Sequence, residues 1–86
     1  MEKKFIIKNE LGLHARPISK WLAIFKDTGV TVTVTKGEKT VNGKSMIGLM
    51  QVSAKKDDEI LVDIEGDASL ELMDALSVLI EDGFGE

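Results

Sequence analysis

Cysteine is absent from this 86-residue sequence, and histidine occurs once. Without cysteine, neither disulfides nor thiolate metal sites are possible. One imidazole makes a histidine-based zinc centre implausible. No metal and no cofactor is therefore expected. Long apolar runs are also missing: none approaches the roughly 18 residues that a membrane span needs. The opening Met1–Lys8 stretch is too short in apolar residues for a signal peptide. A soluble cytoplasmic protein with no membrane insertion is expected. The length suits a single domain, residues 1–86. Such a domain buries only a modest core, so function is expected at the surface rather than in a deep cleft.

Basic residues are absent from the last third of the chain. All 11 lie in residues 1–56, beside four acids (Glu2, Glu10, Asp27, Glu38). Residues 57–86 hold the other 11 acids, so the two parts carry +7 and −11 within a net charge of −4. One reading is an acidic solvated face on the last helix and strand. The other is a positive surface around His14 and Lys44 that steers acidic partners or phosphate.

Hydropathy patterning places the elements. Phe5 and Ile7 alternate with Lys4, Ile6 and Lys8, as in a strand with one buried face. Ile18, Trp21, Leu22 and Phe25 recur at helical spacing, predicting a helix over 15–26 that ends at Thr28-Gly29. The β-branched run 31–35 predicts a strand, with a turn at 36–38 and a short return strand at 39–42. Residues 45–51 suit a short helix. Ile60, Val62 and Ile64 mark a last strand. Leu72, Leu76, Leu79 and Ile80 mark a closing helix that ends at Gly83, with Asp67 or Ser69 as candidate caps. The order is β-α-β-β-α-β-α. Each strand has one apolar face, so helices need cover only one side. The expected fold is α+β, an open-faced sandwich.

His14 stands between the first strand and the first helix, in Gly12-Leu13-His14-Ala15-Arg16-Pro17. Gly12 permits a tight turn and close backbone approach. Pro17 belongs in a first helical turn, where its missing N–H costs little. That puts His14 at the helix start, with the free N–H groups of Ala15 and Arg16 pointing back toward it. The positive end of the helix disfavours imidazolium and favours an attached phosphate. Arg16 adds a planar fork of donors suited to phosphate oxygens. A histidine that merely punctuates a helix is the plain alternative, but Ser, Thr, Asp and Asn are the favoured caps. No second titratable group nearby suggests acid–base catalysis, which disfavours a hydrolase or metal enzyme.

The Gly12–Pro17 motif is followed by Gly43-Lys44-Ser45-Met46-Ile47-Gly48-Leu49-Met50 about thirty residues later. Together they resemble the HPr family, phosphocarriers of the bacterial phosphoenolpyruvate-dependent sugar phosphotransferase system. The resemblance covers the whole chain, including the closing Gly83-Phe84-Gly85-Glu86. It implies a four-stranded antiparallel sheet with three helices on one side. It implies that His14 is phosphorylated on Nδ1 by enzyme I and hands the group to enzyme IIA domains of sugar permeases. Arg16 then attends the phosphate. Ser45 matches a serine that an HPr kinase/phosphorylase modifies in many bacteria, and whose phosphorylated form binds a transcriptional regulator in some. The chain would be a covalent intermediate in a relay, not an enzyme, and a monomer is expected.

Ser45 also has a structural reading, as the cap of the helix that follows. A phosphate there would add roughly −1.5 to −2 charges and repel an acidic partner, with Lys44 as a local counter-charge. By resemblance, Leu49 faces inward while Met46, Ile47 and Met50, with Pro17 and Lys44, form a docking surface. Methionine adapts to several partners. Gly48 is read either as room for a partner's close approach or as neutral. Ile18, Trp21, Ala23, Ile24 and Phe25 depart from the usual family pattern. Trp21 and Phe25 are read as core. Ile24 is expected to point away from their face, toward the docking patch or a lineage-specific partner. The nitrogen-related branch, NPr, shares much of the pattern.

Two other functions compete. One is a regulatory binding module, a nitrogen-branch or catabolite-repression co-regulator, signalling through Ser45. The other is nucleic-acid binding by the open sheet face. That face carries Thr31, Thr33, Thr35, Asp63 and Glu65 with no aromatic platform, and the net charge is negative, so nucleic acid is not an expected partner.

Overall fold

A computed structural model describes residues 1–86. The elements run β1 (Glu2–Ile6), α1 (Ala15–Phe25), β2 (Thr31–Lys36), β3 (Lys39–Asn42), α2 (Met46–Val52), β4 (Glu59–Glu65) and α3 (Ser69–Glu81), followed by a tight turn at Gly83–Gly85. The strands form one antiparallel sheet in the order β1-β4-β2-β3. Central β4 pairs Val62 with Val34 of β2 and Ile60 with Phe5 of β1. That register puts all the alternating apolar residues on one face.

The three helices cover that face. Trp21 and Phe25 from α1, Leu49 from α2, and Met73, Leu76 and Ile80 from α3 meet Val32, Val34, Ile60, Val62 and Ile64 of the sheet in one buried cluster. The opposite face is open, with Lys4, Thr33 and Asp63 directed outward by the strand alternation. This is the open-faced sandwich that the patterning predicts.

Two expectations need correction. Neither Asp67 nor Ser69 caps α3. Ala68 holds the boundary position in left-handed geometry (φ 61°), its carbonyl accepting from Leu72 N–H. Asp67 therefore comes one residue too early, and Ser69 is already in the first turn. Ile24 is half-buried and packs against the core, so it does not stand apart on a docking face. An α-helix lying on a sheet buries a stripe wider than one row, which brings Ile24 and Leu22 in beside Trp21.

Candidate functional site

The site is built on the loop from β1 to α1. Gly12 has φ +67°, and a Cβ there would lie 2.3 Å from the Ala54 carbonyl oxygen. Only glycine lets the loop press this closely on the segment after α2. Leu13, buried, fastens it by donating its N–H to that same carbonyl at 2.9 Å. The close backbone approach read from the sequence is thus real, and its partner is Ala54.

His14 follows as the N-cap of α1, in extended geometry (φ −108°, ψ −172°), with its carbonyl accepting from Ile18 N–H. Its side chain does not cap the helix. The N–H groups of Ala15 and Arg16 have no acceptor in the chain, and Pro17 has no N–H at all. Free donors therefore gather at this helix end, where the macrodipole is positive. Arg16 is exposed and holds no ion pair.

The imidazole is engaged from the far end of the chain. Its Nε2 lies 3.1 Å and 3.3 Å from the two carboxylate oxygens of Glu86. A carboxylate only accepts, so Nε2 is the protonated nitrogen in this contact. Nδ1 makes no hydrogen bond within the chain. Partial desolvation pushes the Glu86 carboxyl up. Hydrogen bonds from His14 and Asn9, with the charges of His14 and Arg16, outweigh it and hold the group below its usual range.

Glu86 is brought there by the turn before it. Gly83, Phe84 and Gly85 are all left-handed (φ 62°, 59° and 74°), which reverses the chain after α3. Phe84 is fully buried, and its carbonyl accepts from Lys20 Nζ on α1. The buried Asn9 then bridges the two ends of the site. Its Nδ2 donates to Gly12 O at 2.7 Å and to Glu86 Oε1 at 3.2 Å.

Asn9, Lys20, Phe84 and Glu86 are absent from the sequence-based site. An aromatic flanked by two glycines is a signal for a return turn, but nothing local says where the turn delivers the next residue. Both readings of the charge asymmetry meet at this site: Arg16 stands exposed beside His14. The acidic part of the chain reaches the imidazole through Glu86, and Glu10 pairs with Lys56 at 2.9 Å on the same loop.

Ser45 caps α2, its Oγ accepting from Gly48 N–H at 3.1 Å. With Ser45 unmodified, Lys44 is engaged elsewhere. The Lys44 ammonium donates to the carbonyls of Thr28 and Val30 instead, tying the turn before α2 to the α1–β2 loop. Of the proposed docking residues, Met46, Ile47 and Met50 are exposed, at 41, 68 and 52%, whereas Leu49 is buried. Pro17 is buried and drops out, because the first turn of α1 faces the core at that position. Lys44 and Met46 also edge a groove of about 490 Å³ with Leu22, Ala23 and Lys26. Gly48 serves an internal approach: a Cβ there would sit 2.8 Å from the Asn42 carbonyl oxygen.

An antiparallel open-faced sandwich presenting a histidine at the start of its first helix defines a class of small carrier domains. The family model described as "PTS HPr component phosphorylation site" matches residues 1–82. The phosphocarrier protein HPr of Neisseria meningitidis serogroup A is 40% identical over 86 residues, covering 100% of this chain and 97% of its own. That of Chlamydia trachomatis serovar D is 33% identical over 82 residues, covering 95% of this chain and 75% of its own. The crystal structure of HPr-C-His from Thermoanaerobacter tengcongensis superposes with a TM-score of 0.93 at 36% identity, covering 100% of this chain and 97% of that one. The chain belongs to the HPr family, the phosphocarriers of the phosphotransferase system.

Proposed function

We propose that residues 1–86 act as one phosphocarrier domain, accepting a phosphoryl group on His14 Nδ1 from phosphorylated enzyme I and passing it to enzyme IIA domains. The observation that supports this is the free Nδ1 at a helix end with two unclaimed N–H groups and an unpaired Arg16. A neutral nitrogen with an available lone pair is the nucleophile. The N–H groups and the guanidinium receive the phosphoryl oxygens. The site is shallow and half-exposed, which suits brief storage and onward transfer between proteins rather than turnover of a small substrate. Arg16 is the phosphate-binding side chain, and Ala15 contributes its N–H. Met46, Ile47 and Met50, with Lys44 at their edge, dock the partners. The protein is in this reading a cytoplasmic monomer and a covalent intermediate, not a catalyst. No helix is long and apolar enough to cross a membrane.

The test is incubation with enzyme I and phosphoenolpyruvate. An acid-labile phosphohistidine is expected in the wild type and none in His14→Ala. A wild-type chain that stays unphosphorylated sinks the proposal.

A second, regulatory reading rests on Ser45. Its hydroxyl caps α2 directly before the exposed Met46 and Ile47. A phosphate there would alter the charge of the docking surface with little change to the fold. An HPr kinase/phosphorylase would write this signal, and a transcriptional regulator or a nitrogen-branch partner would read it. Phosphoserine at 45 is expected to weaken acceptance from enzyme I. Unchanged transfer and unchanged partner affinities would exclude the role.

A further inference from the structure

We propose that Met46 and Met50 form a paired oxidation site, through which hydrogen peroxide lowers the affinity of the carrier for the proteins it docks. The inference rests on the phosphocarrier reading and on the docking role given there to α2.

The chain has no cysteine, so its four methionines hold its only sulfur atoms. No thiol competes with them for a two-electron oxidant. The structure divides the four. Met73 is 1% exposed, in the core beneath α3. Met1 is 45% exposed at the end of the sheet, where its carbonyl accepts from Ile64 N–H. Met46 and Met50 are exposed on α2, four residues apart, and so stand side by side on its outer face. The helix cannot roll to hide them. Gly48 presses on the Asn42 carbonyl with no space for a Cβ, and Leu49 and Val52 are buried on the same side. Both ends of α2 are also held. Ser45 Oγ accepts from Gly48 N–H at the start. At the finish, the Lys39 ammonium donates to Gln51 O at 2.6 Å and that of Lys36 to Ser53 O at 3.0 Å, satisfying carbonyls that a last turn leaves free. A helix fixed in this way keeps both thioethers at the surface, open to oxidant and partner alike.

The chemistry is a single oxygen transfer. A sulfur lone pair attacks one peroxide oxygen, the S–O bond forms and the O–O bond breaks. The electron pair of the O–O bond leaves on the second oxygen, which takes the proton of the first and departs as water. Sulfur is oxidised by two electrons and the peroxide is reduced by two. The product sulfoxide is neutral and polar where the thioether was apolar. In the free protein the new oxygen faces water, so the fold tolerates it. In a docked complex it is pressed against an apolar surface, where a polar group without a partner is costly. Two adjacent sulfoxides therefore oppose docking, while His14 and Arg16 on α1 stay chemically unchanged. The loss falls on affinity and not on the transfer step.

The experiment treats the full chain with hydrogen peroxide and maps the oxidised methionines by peptide mass spectrometry. Phosphoryl acceptance from phosphorylated enzyme I is then measured over a range of carrier concentrations. Met46 and Met50 are expected to oxidise along with Met1, while Met73 stays reduced and the melting temperature holds. The KM for the carrier should rise about tenfold, the scale for burying an unpartnered polar group, with kcat unchanged. Methionine sulfoxide reductases acting on both epimers should restore it. The double variant Met46→Leu/Met50→Leu keeps apolar side chains and has no sulfur there. Whatever its own KM, peroxide should leave that value where it was, which also sets aside any effect of Met1. Met46 and Met50 that stay reduced while Met1 oxidises overturn the proposal. So does an unchanged KM after both have oxidised, or an equal rise in the double variant. Oxidation of Met73 with a lowered melting temperature makes the loss one of folding, and overturns it too. An untreated wild type that takes no phosphoryl group defeats the carrier reading and this proposal with it. A wild type that accepts the group and keeps its KM after oxidation defeats this proposal alone.

Discussion

The indole Nε1–H of Trp21 donates to the carbonyl of Gly43 at 3.0 Å, deep in the core. This bond joins the helix that begins at His14 to the turn that precedes Ser45. Gly43 is itself tightly held. Its N–H donates to Val32 O at 2.7 Å, and a Cβ on it would come within 2.4 Å of Val32 Cγ1. The two candidate phosphorylation sites thus stand on a shared internal strut.

Trp21→Phe keeps most of the aromatic volume and removes the donor. The Gly43 carbonyl is left buried without that partner, which costs about 2 kcal/mol. Urea denaturation should show a lower midpoint with an unchanged slope, since the surface exposed on unfolding hardly differs.

Gly12→Ala should be worse. The new methyl meets the Ala54 carbonyl, a backbone atom that cannot rotate away, and the left-handed φ adds strain. A loss of about 3 kcal/mol is expected. At a temperature where the variant remains folded, acceptance of phosphate by His14 should also be slowed, because this turn sets where the ring stands. Thermal melts and phosphorylation time courses measure the two effects separately.

Gly48→Ala separates helix propensity from packing. In an exposed helix the change would stabilise by up to about 1 kcal/mol. Here the Cβ meets Asn42 O at 2.8 Å, so α2 must shift away from β3. Net destabilisation of about 1 kcal/mol is expected, read as a lower melting temperature. A higher one would mean that α2 moves freely.

Asp58 gives the fold an acid dependence. The Lys55 backbone N–H donates to its carboxylate at 2.8 Å and the Lys36 ammonium at 3.0 Å, and these hold its carboxyl below the usual range. The unfolded chain therefore binds a proton at Asp58 more readily than the folded one. The stabilisation is present above the unfolded carboxyl value, near 4, and is lost as the pH falls through the lower folded value. Asp58→Asn should be less stable than wild type at pH 7 and should lose less on acidification. Urea midpoints between pH 7 and pH 3 measure the difference, and parallel curves would contradict it.

How much of this was legible in the chain depends on the distance over which each feature acts. The alternation of Ile60, Val62 and Ile64, and the helical spacing of Ile18, Trp21 and Phe25, report a buried face directly, and all six are buried. Gly12, His14, Arg16 and Pro17 declare a helix start within a few residues, because the free N–H groups and the missing proline N–H are local properties of the backbone. Ser45 as a cap is local in the same way.

The rest depends on contacts between distant segments. Glu86 meets His14 across 72 residues, and Asn9 meets Glu86 across 77. Periodicity says that Phe84 is apolar, but not that its burial turns the chain back over α1. Charge counts leave open whether the surface beside His14 is basic, and cannot say which carboxylate folds onto it. Lys44 looks like a neighbour of Ser45 in sequence, while its ammonium satisfies carbonyls in the α1–β2 loop. By itself, then, the sequence determined the sandwich and the candidate ring at the helix start, because hydrophobic period and helix-end chemistry are short-range. Which ring nitrogen is held and which is free was decided only by the tertiary structure, because a hydrogen bond needs atoms about 3 Å apart, and only the complete packing of Phe84 and Asn9 brings the carboxylate of Glu86 that close to His14.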